Sequence, residues 1–290
     1  MRVLVTGASG QLGHDLTELL QKQAIDVVAM NRTQLDLARP DEMIRRLRAT
    51  APDWIVNCAA WTAVDDAEQE AQQAFAINRD AVRDMAACAA EMGARLLHVS
   101  TDFVFSGQSN RPYREDDPTE PPGIYGRSKR EGELAVLANS GHIVLRTAWL
   151  YGAHGNNFVK TMLRLAGERD ELRVVDDQIG SPTWTRDVAD AILVLIQSDA
   201  HGLYHFVNAG ETSWYGFACA ILEDARAQGF DLRAEQVTPI PTADFPTPAS
   251  RPAYSVLSTE KIQHLLPKPI RDWKSALHLM LEELKQCPDC

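Results

Sequence analysis

The chain opens on a short β-branched run, "RVLVT", that leads directly into glycine. "TGASGQLG" sets Gly7, Gly10 and Gly13 between that run and a segment in which Leu12, Leu16, Leu19 and Leu20 recur at helical spacing. This unit limits the possible folds more than any other stretch. A strand that is apolar along its whole length has to be covered on both faces, which places it in a parallel sheet. Glycine lets the turn close and lets the backbone approach a ligand. The helix N-terminus beyond it offers N–H groups and the positive end of a dipole, a seat for a pyrophosphate.

The alternation continues through the first half. "DVVAM", "WIVNCAA", "RLLHVST" and "HIVLRTA" read as the second to fifth strands. Between them, Pro40 opens a helix whose Met43, Ile44 and Leu47 face inward, Ala74 to Met92 is alanine-rich and helical, and a further helix carries Tyr125. Right-handed crossovers then predict a doubly wound, Rossmann-type α/β fold with its ligands at the carboxyl ends of the strands. The second half is less regular. It holds helices at "NFVKTMLRLAGE", "TRDVADAILVLIQ", Ser213 to about Ala227 and "WKSALHLMLEELK", strands at "LRVV" and "LYHFVN", and the proline-rich "TPIPTADFPTPASRP". We read residues 1–150 as a dinucleotide-binding domain and 151–290 mainly as a smaller substrate-binding domain, with segments around 171–208 returning to the sheet. The apolar stripe Leu277, Met280, Leu281 and Leu284 has two readings, docking on its own domain or joining two copies as a homodimer.

Composition narrows the partners. The 290 residues carry a formal net charge of −11, which disfavours nucleic acid and anionic membrane surfaces. An anionic ligand must be held by local donors and a few placed cations. No segment approaches the ~20 apolar residues of a membrane span, and the N-terminal apolar run is too short for a signal peptide. A reduced, cytoplasmic protein is expected. Of five cysteines, Cys58, Cys88 and Cys219 stand in apolar runs, and Cys287 and Cys290 form "CPDC" at the C-terminus, read as a frayed tail rather than a redox or metal site.

The end of the second strand bears on which dinucleotide is held. An acidic residue there binds a ribose 2′-OH, whereas an arginine accommodates a 2′-phosphate. The sequence "AMNRTQLDL" offers Asn31 and Arg32 and no carboxylate at that point, so NADPH is expected, with NADH as the alternative. Asp36 follows a few residues later, near the adenine.

In "GIYGRSKREGE", Tyr125 and Lys129 are four apart at the head of a helix and share a face. A phenol titrates near ~10, and a neighbouring ammonium favours its ionised form. Such a tyrosine serves as a general acid when a carbonyl is reduced. Thr101 ends the fourth strand in "VSTDF", where its hydroxyl can share the substrate oxygen.

At these residues the chain resembles the extended short-chain dehydrogenase/reductases, and among them the dTDP-4-dehydrorhamnose reductase family. The likeness rests on "GASGQLG", "NCAAWTAVDDAE", "STDFVFSG", "YGRSK", "RTAWLYG", "GNNFVKTMLRLA", "DQIGSPTWTRDVAD" and "PTPASRP" and spans essentially the whole chain. It implies NAD(P)H-dependent reduction of the C4 ketone of dTDP-4-dehydro-β-L-rhamnose, yielding the activated rhamnose of bacterial surface polysaccharides. It assigns Tyr125 as proton donor, Lys129 to the nicotinamide ribose and Thr101 to the ketone, with Asp102 beside it. Gly10, Gln11 and Leu12 would cradle the pyrophosphate, Asp36 and Leu37 flank the adenine, and Ala60, Trp61 and Thr62 lie along the cofactor. Thr62, Val64 and Trp149 would line the sugar pocket. Asn156, Asn157 and Phe158 would hold the nucleotide, and Arg251 its diphosphate, since arginine matches phosphate oxygens with a bidentate fork.

Two departures from the family pattern are Phe103, where a tyrosine is common, and Trp61, where a histidine is. Some members are dimers bridged by Mg2+ through acidic side chains. Asp15 matches one such ligand, but Arg186 stands near where another belongs, so no bridging metal is expected. Two rival readings stay open. One is a nucleotide-sugar 4,6-dehydratase or 4-epimerase, although Asp102-Phe103 lacks the second carboxyl group usual in dehydratases. The other is a non-catalytic NADP-binding regulatory subunit, which would have no need of a proton donor.

Overall fold

The computed structural model describes residues 1–286, so the Cys287–Cys290 pair lies outside the described residues. Five strands and their crossovers build the first half. They are β1 (Arg2–Thr6), α1 (Gln11–Lys22), β2 (Asp26–Met30), α2 (Pro40–Thr50), β3 (Trp54–Asn57), the short α3 (Val64–Ala67) and α4 (Ala71–Phe75), α5 (Ala81–Glu91), β4 (Arg95–Thr101), α6 (Ile124–Leu137) and β5 (Ile143–Thr147). The second half adds β6 (Leu150–Tyr151), α7 (Phe158–Glu168), β7 (Glu171–Val175), β8 (Ile179–Gly180), β9 (Thr183–Trp184), α8 (Thr185–Gln197), β10 (Gly202–His205), β11 (Thr212–Ser213), α9 (Trp214–Ala227), β12 (Gln236–Ile240), α10 (Glu260–Gln263) and α11 (Trp273–Gln286).

The main sheet runs β10-β5-β4-β3-β1-β2 with every pairing parallel. Its strand order reverses at β1, which opens a crevice at the carboxyl ends of β1 and β3. One face is covered by α1 and α8 around Leu12, Leu16, Val188 and Ile192. The other is covered by α2 and α5 around Met43, Leu47, Val82 and Met85. Segment β7 does not join this sheet but pairs with β12 in a separate two-stranded sheet. The chain returns through α8, which packs on α1, and through β10, which pairs with β5.

The alanine-rich helix is not continuous. Residues Ala76–Asp80 form a π turn between α4 and α5. Such a bulge re-aims the side chains it carries, here Asn78. A further core gathers Phe217, Ile221, Trp184 and Val159, and α11 closes it with Trp273, Leu277, Met280 and Leu281. Leu284 packs at its rim. The stripe on the last helix therefore packs within its own chain. No helix among the described residues is long and apolar enough to cross a membrane.

Candidate active site

A cleft of about 690 Å³ opens at the carboxyl ends of the strands. Its floor is the glycine loop. Gly7 adopts φ +65°, and a Cβ on Gly13 would run into the Gly7 carbonyl oxygen, so only glycine lets α1 start this close to the turn. The helix starts at Gln11 after an extended Gly10, leaving its first N–H groups for a ligand. Arg32, Asp36 and Leu37 line one end, and Arg32 is largely exposed, 4.0 Å from the Asp36 carboxylate. Asn31 is outside the lining: its carboxamide oxygen accepts from Thr33 and Gln34 and closes a turn.

The middle of the cleft is walled by Ala60, Trp61, Thr62 and Val64. Asn78 fixes this wall. Its side chain accepts from the Trp61 N–H (2.9 Å) and donates to the Trp61 carbonyl (3.1 Å) and to Ser128 Oγ (3.0 Å). Ser128 in turn donates to the Tyr125 carbonyl at 2.8 Å. One asparagine thus ties the wall to the helix that carries the tyrosine. Sequence reasoning passed over it, because a π turn leaves no mark in hydrophobic spacing.

At the far end stand Thr101, Asp102, Tyr125 and Lys129. The Thr101 hydroxyl lies near the Tyr125 phenol, and Thr101 Oγ1 donates to Asp102 Oδ1 at 3.0 Å. Burial pushes the Tyr125 phenol up to about 12, with Thr101 pulling down and Asp102 adding to the rise. Burial likewise raises Asp102 to about 6. The phenol is therefore held firmly protonated. Phe103 packs edge-on against it with ring centroids 5.5 Å apart.

Lys129 is almost wholly buried; beneath the cleft its Nζ donates to the Val99 carbonyl (2.7 Å) and lies 3.1 Å from His98 Nε2. This ends a polar row. Strand register aligns Thr6, Asn57 and His98 on three neighbouring strands. Thr6 Oγ1 donates to Asn57 Oδ1 (2.6 Å), and Asn57 Nδ2 reaches His98 Nδ1 (2.9 Å). Burial, reinforced by Lys129, keeps His98 well below the ordinary imidazole range, so the ring is neutral. With Nδ1 accepting from Asn57, the ring proton stands on Nε2 and faces Lys129. That arrangement favours an uncharged amine. Burial acts the same way, pulling Lys129 to about 8 against the opposing influence of Glu133 and Cys58. The helix is anchored by Glu133, whose carboxylate takes two 2.7 Å bonds from the buried Arg146 on β5.

The remaining expected residues divide. Trp149 and Asn156 line the cleft. Trp149 adopts φ +47° and lies flat on Trp214, centroids 3.5 Å apart. Left-handed backbone at a bulky residue is costly and collects at ligand sites. Asn157 caps α7 and donates to Gln11 Oε1 at 3.0 Å, touching the glycine loop from behind. Phe158 packs inward on Trp214 and Phe217 and is not in the lining. Arg251 grips Asp65 with bonds of 2.9 and 2.7 Å, also outside the lining, and its guanidinium holds the Asp65 carboxyl below the usual range. Asp15 faces His14 and His154, while Arg186 pairs with Glu283 and Glu18. Two imidazoles and a guanidinium do not fit an all-oxygen Mg2+ bridge.

Comparison with known proteins gives the same picture. The RmlD substrate binding domain family matches residues 1–286. The dTDP-4-dehydrorhamnose reductase of Burkholderia thailandensis is 43% identical over 98% of this chain and 99% of its own. The crystal structure of a dTDP-4-dehydrorhamnose reductase from Clostridium acetobutylicum superposes with a TM-score of 0.92 at 39% identity, covering 98% of this chain and 100% of that one. The enzyme of the same name from Bacillus anthracis, solved with NADP, gives 0.92 at 37% identity, over 97% of this chain and 99% of that one. With the glycine loop, the Thr101–Tyr125–Lys129 end of the cleft and these relatives in agreement, the chain belongs to the dTDP-4-dehydrorhamnose reductase family, that of the RmlD substrate binding domain.

Proposed function

We propose that this protein reduces the C4 ketone of dTDP-4-dehydro-β-L-rhamnose to give dTDP-β-L-rhamnose, drawing on NADPH in the cytoplasm. One observation carries the reading: a buried, protonated phenol beside a threonine hydroxyl at one end of a cleft whose other end is a glycine-lined helix N-terminus. When bound, NADPH supplies the hydride. The residues of this chain do the rest. The N–H groups at Gly10, Gln11 and Leu12 hold the pyrophosphate, Arg32 the 2′-phosphate, and Asp36 and Leu37 the adenosine. Lys129 bonds the nicotinamide ribose and, while charged, stabilises a developing phenolate. Thr101 and Tyr125 both bond the ketone oxygen, and Tyr125 gives it a proton as the alcohol forms. Trp61, Thr62, Val64 and Trp149 enclose the sugar and exclude water.

Asn156 and Asn157 steady the nucleotide from the loop ahead of α7. Arg251 joins by exchanging Asp65 for the diphosphate, a bidentate partner of the same geometry. Phe158 supports Trp214 beneath the Trp149 ring. Charge favours such a cation, because the cleft lining otherwise offers only Arg32 and Lys129 against Asp36 and Asp102.

The test is NADPH oxidation with the 4-keto sugar generated in place by the dehydratase and 3,5-epimerase chemistry that precedes it. Turnover that needs both upstream enzymes, and that falls at least ~100-fold in Tyr125→Phe with NADPH binding retained, fits the loss of a positioned acid. Full activity of that variant would put the proton donor elsewhere. No turnover by folded, NADPH-binding protein would reject the substrate.

A further inference from the structure

On the outer side of α1, away from the cleft, several polar atoms are buried without hydrogen-bond partners: His14 Nδ1, Asp15 Oδ1, Arg186 Nε and Glu283 Oε2. Asp15 is only 4% exposed. Its Oδ2 accepts from Thr185 Oγ1 at 2.5 Å, which fixes the carboxylate and turns Oδ1 toward His14 Nδ1, 3.7 Å away. The His154 ring, from the loop between β6 and α7, lies over His14 with centroids 3.5 Å apart and planes tilted by 34°. One ligand atom from each of His14, Asp15 and His154 falls within 4.8 Å of the others. Burying a carboxylate oxygen with nothing bonded to it is costly.

We propose that His14, Asp15 and His154 form an intrachain binding site for a borderline divalent transition metal ion such as Zn2+ or Co2+. Two imidazole nitrogens and one carboxylate oxygen are the donors such ions prefer, and three protein ligands leave a fourth position for water. Mg2+ prefers oxygen donors and retained waters, so it is a poor competitor here. The local charge agrees. Asp15, Glu18 and Glu283 bring three carboxylates against two cations, Arg186, shared between Glu18 and Glu283, and Lys22, bonded to Glu18. The carboxylate left over, that of Asp15, favours a cation. His14 is 42% exposed and gives the ion a way in. Thr185 supplies the hydrogen bond that holds a ligating carboxylate in place.

The site has a mechanical consequence. His14 and Asp15 stand one turn beyond the glycine loop, and His154 directly precedes Gly155 and Asn156, which line the cleft. Among the described residues, Asn157 ties that loop to α1 through its bond to Gln11. A bound ion would staple the 153–157 loop to the pyrophosphate helix.

The experiment titrates Co2+ into EDTA-treated, full-length protein and reads its visible d–d absorption, in the wild type and in a Cys287→Ser/Cys290→Ser background that removes the terminal thiols as ligands. The expected result is one Co2+ per chain in both, bleached by Zn2+ and unaffected by a large excess of Mg2+. His14→Ala and His154→Ala should each weaken binding by at least ~100-fold, since even outer partners of a ligand are worth ~10–100-fold. NADPH binding shows that both variants fold. Absence of stoichiometric Co2+ binding, its loss in the Cys→Ser background, or its survival in both histidine variants would overturn the site. Amide hydrogen exchange over 153–157 should slow on loading, and unchanged exchange in the loaded protein would overturn the staple.

Discussion

Lys129 is where the structure makes its sharpest numerical claim. The ammonium is almost fully buried, faces a neutral imidazole, and is drawn down to about 8 by burial. A lysine at that value is ~90% charged near pH 7 and ~10% charged near pH 9. If the charged form is needed to orient the ribose and to favour phenolate, kcat/KM for the nucleotide sugar at saturating NADPH should fall about 10-fold across that interval. The phenol of Tyr125 cannot produce this limb, because it is held near 12. The assay is NADPH oxidation at fixed ionic strength from about pH 6 to about pH 10. In Lys129→Met the limb should disappear and the rate should be low throughout. That variant also leaves the Val99 carbonyl and His98 Nε2 without their partner, so a stability loss of about 1–3 kcal/mol for each accompanies it. A wild-type profile that stays flat to about pH 10, or a Lys129→Met profile that keeps the limb, would refute the assignment.

Three further outcomes are expected. Arg32→Ala should weaken NADPH about 10- to 100-fold, the worth of one charge-assisted bond, and leave NADH nearly unchanged; equal losses in isothermal titration would show that Arg32 does not read the 2′-phosphate. Gly13→Ala drives a methyl group into the Gly7 carbonyl, so the denaturant midpoint should drop by the equivalent of about 1–3 kcal/mol with NADPH affinity falling too, and a wild-type midpoint would show that the loop yields freely. His205, wholly buried, is lowered to about 3 by burial and by Arg146. Its folded value lies below its unfolded one, so the stability it contributes is complete above about pH 6.5 and is lost on acidification. Relative to His205→Gln, the wild type should lose about 2 kcal/mol between about pH 7 and about pH 5 in paired denaturant titrations, and a constant difference would mean that the ring is charged in the folded state.

The parallel strands, the glycine loop and the Thr101, Tyr125 and Lys129 triplet were legible from order and spacing alone. A fully buried strand needs a continuous apolar run, a close approach to phosphate needs glycine, and a helix face repeats every three to four residues. Those are local requirements, and a local pattern records them. What stayed hidden depends on residues far apart in the chain. Asn78 clamps Trp61 only because a π turn rotates it there. Arg251 meets Asp65 across 186 positions, and Trp214, at the start of α9, stacks on Trp149, 65 positions earlier in the chain. Thr6, Asn57 and His98 read singly as polar interruptions in apolar strands, and parallel register makes them one row that ends on Lys129. His14 and His154 likewise look like ordinary surface histidines until α1 and the loop after β6 bring their rings together. The sequence by itself determined the layered α/β frame and the polar residues that gather in its cleft, because backbone geometry and burial are written in short-range periodicity. Tertiary structure alone decided which charges are paired, which polar atoms are left unpartnered and how far burial moves each proton, because those depend on distances the chain closes only when it folds.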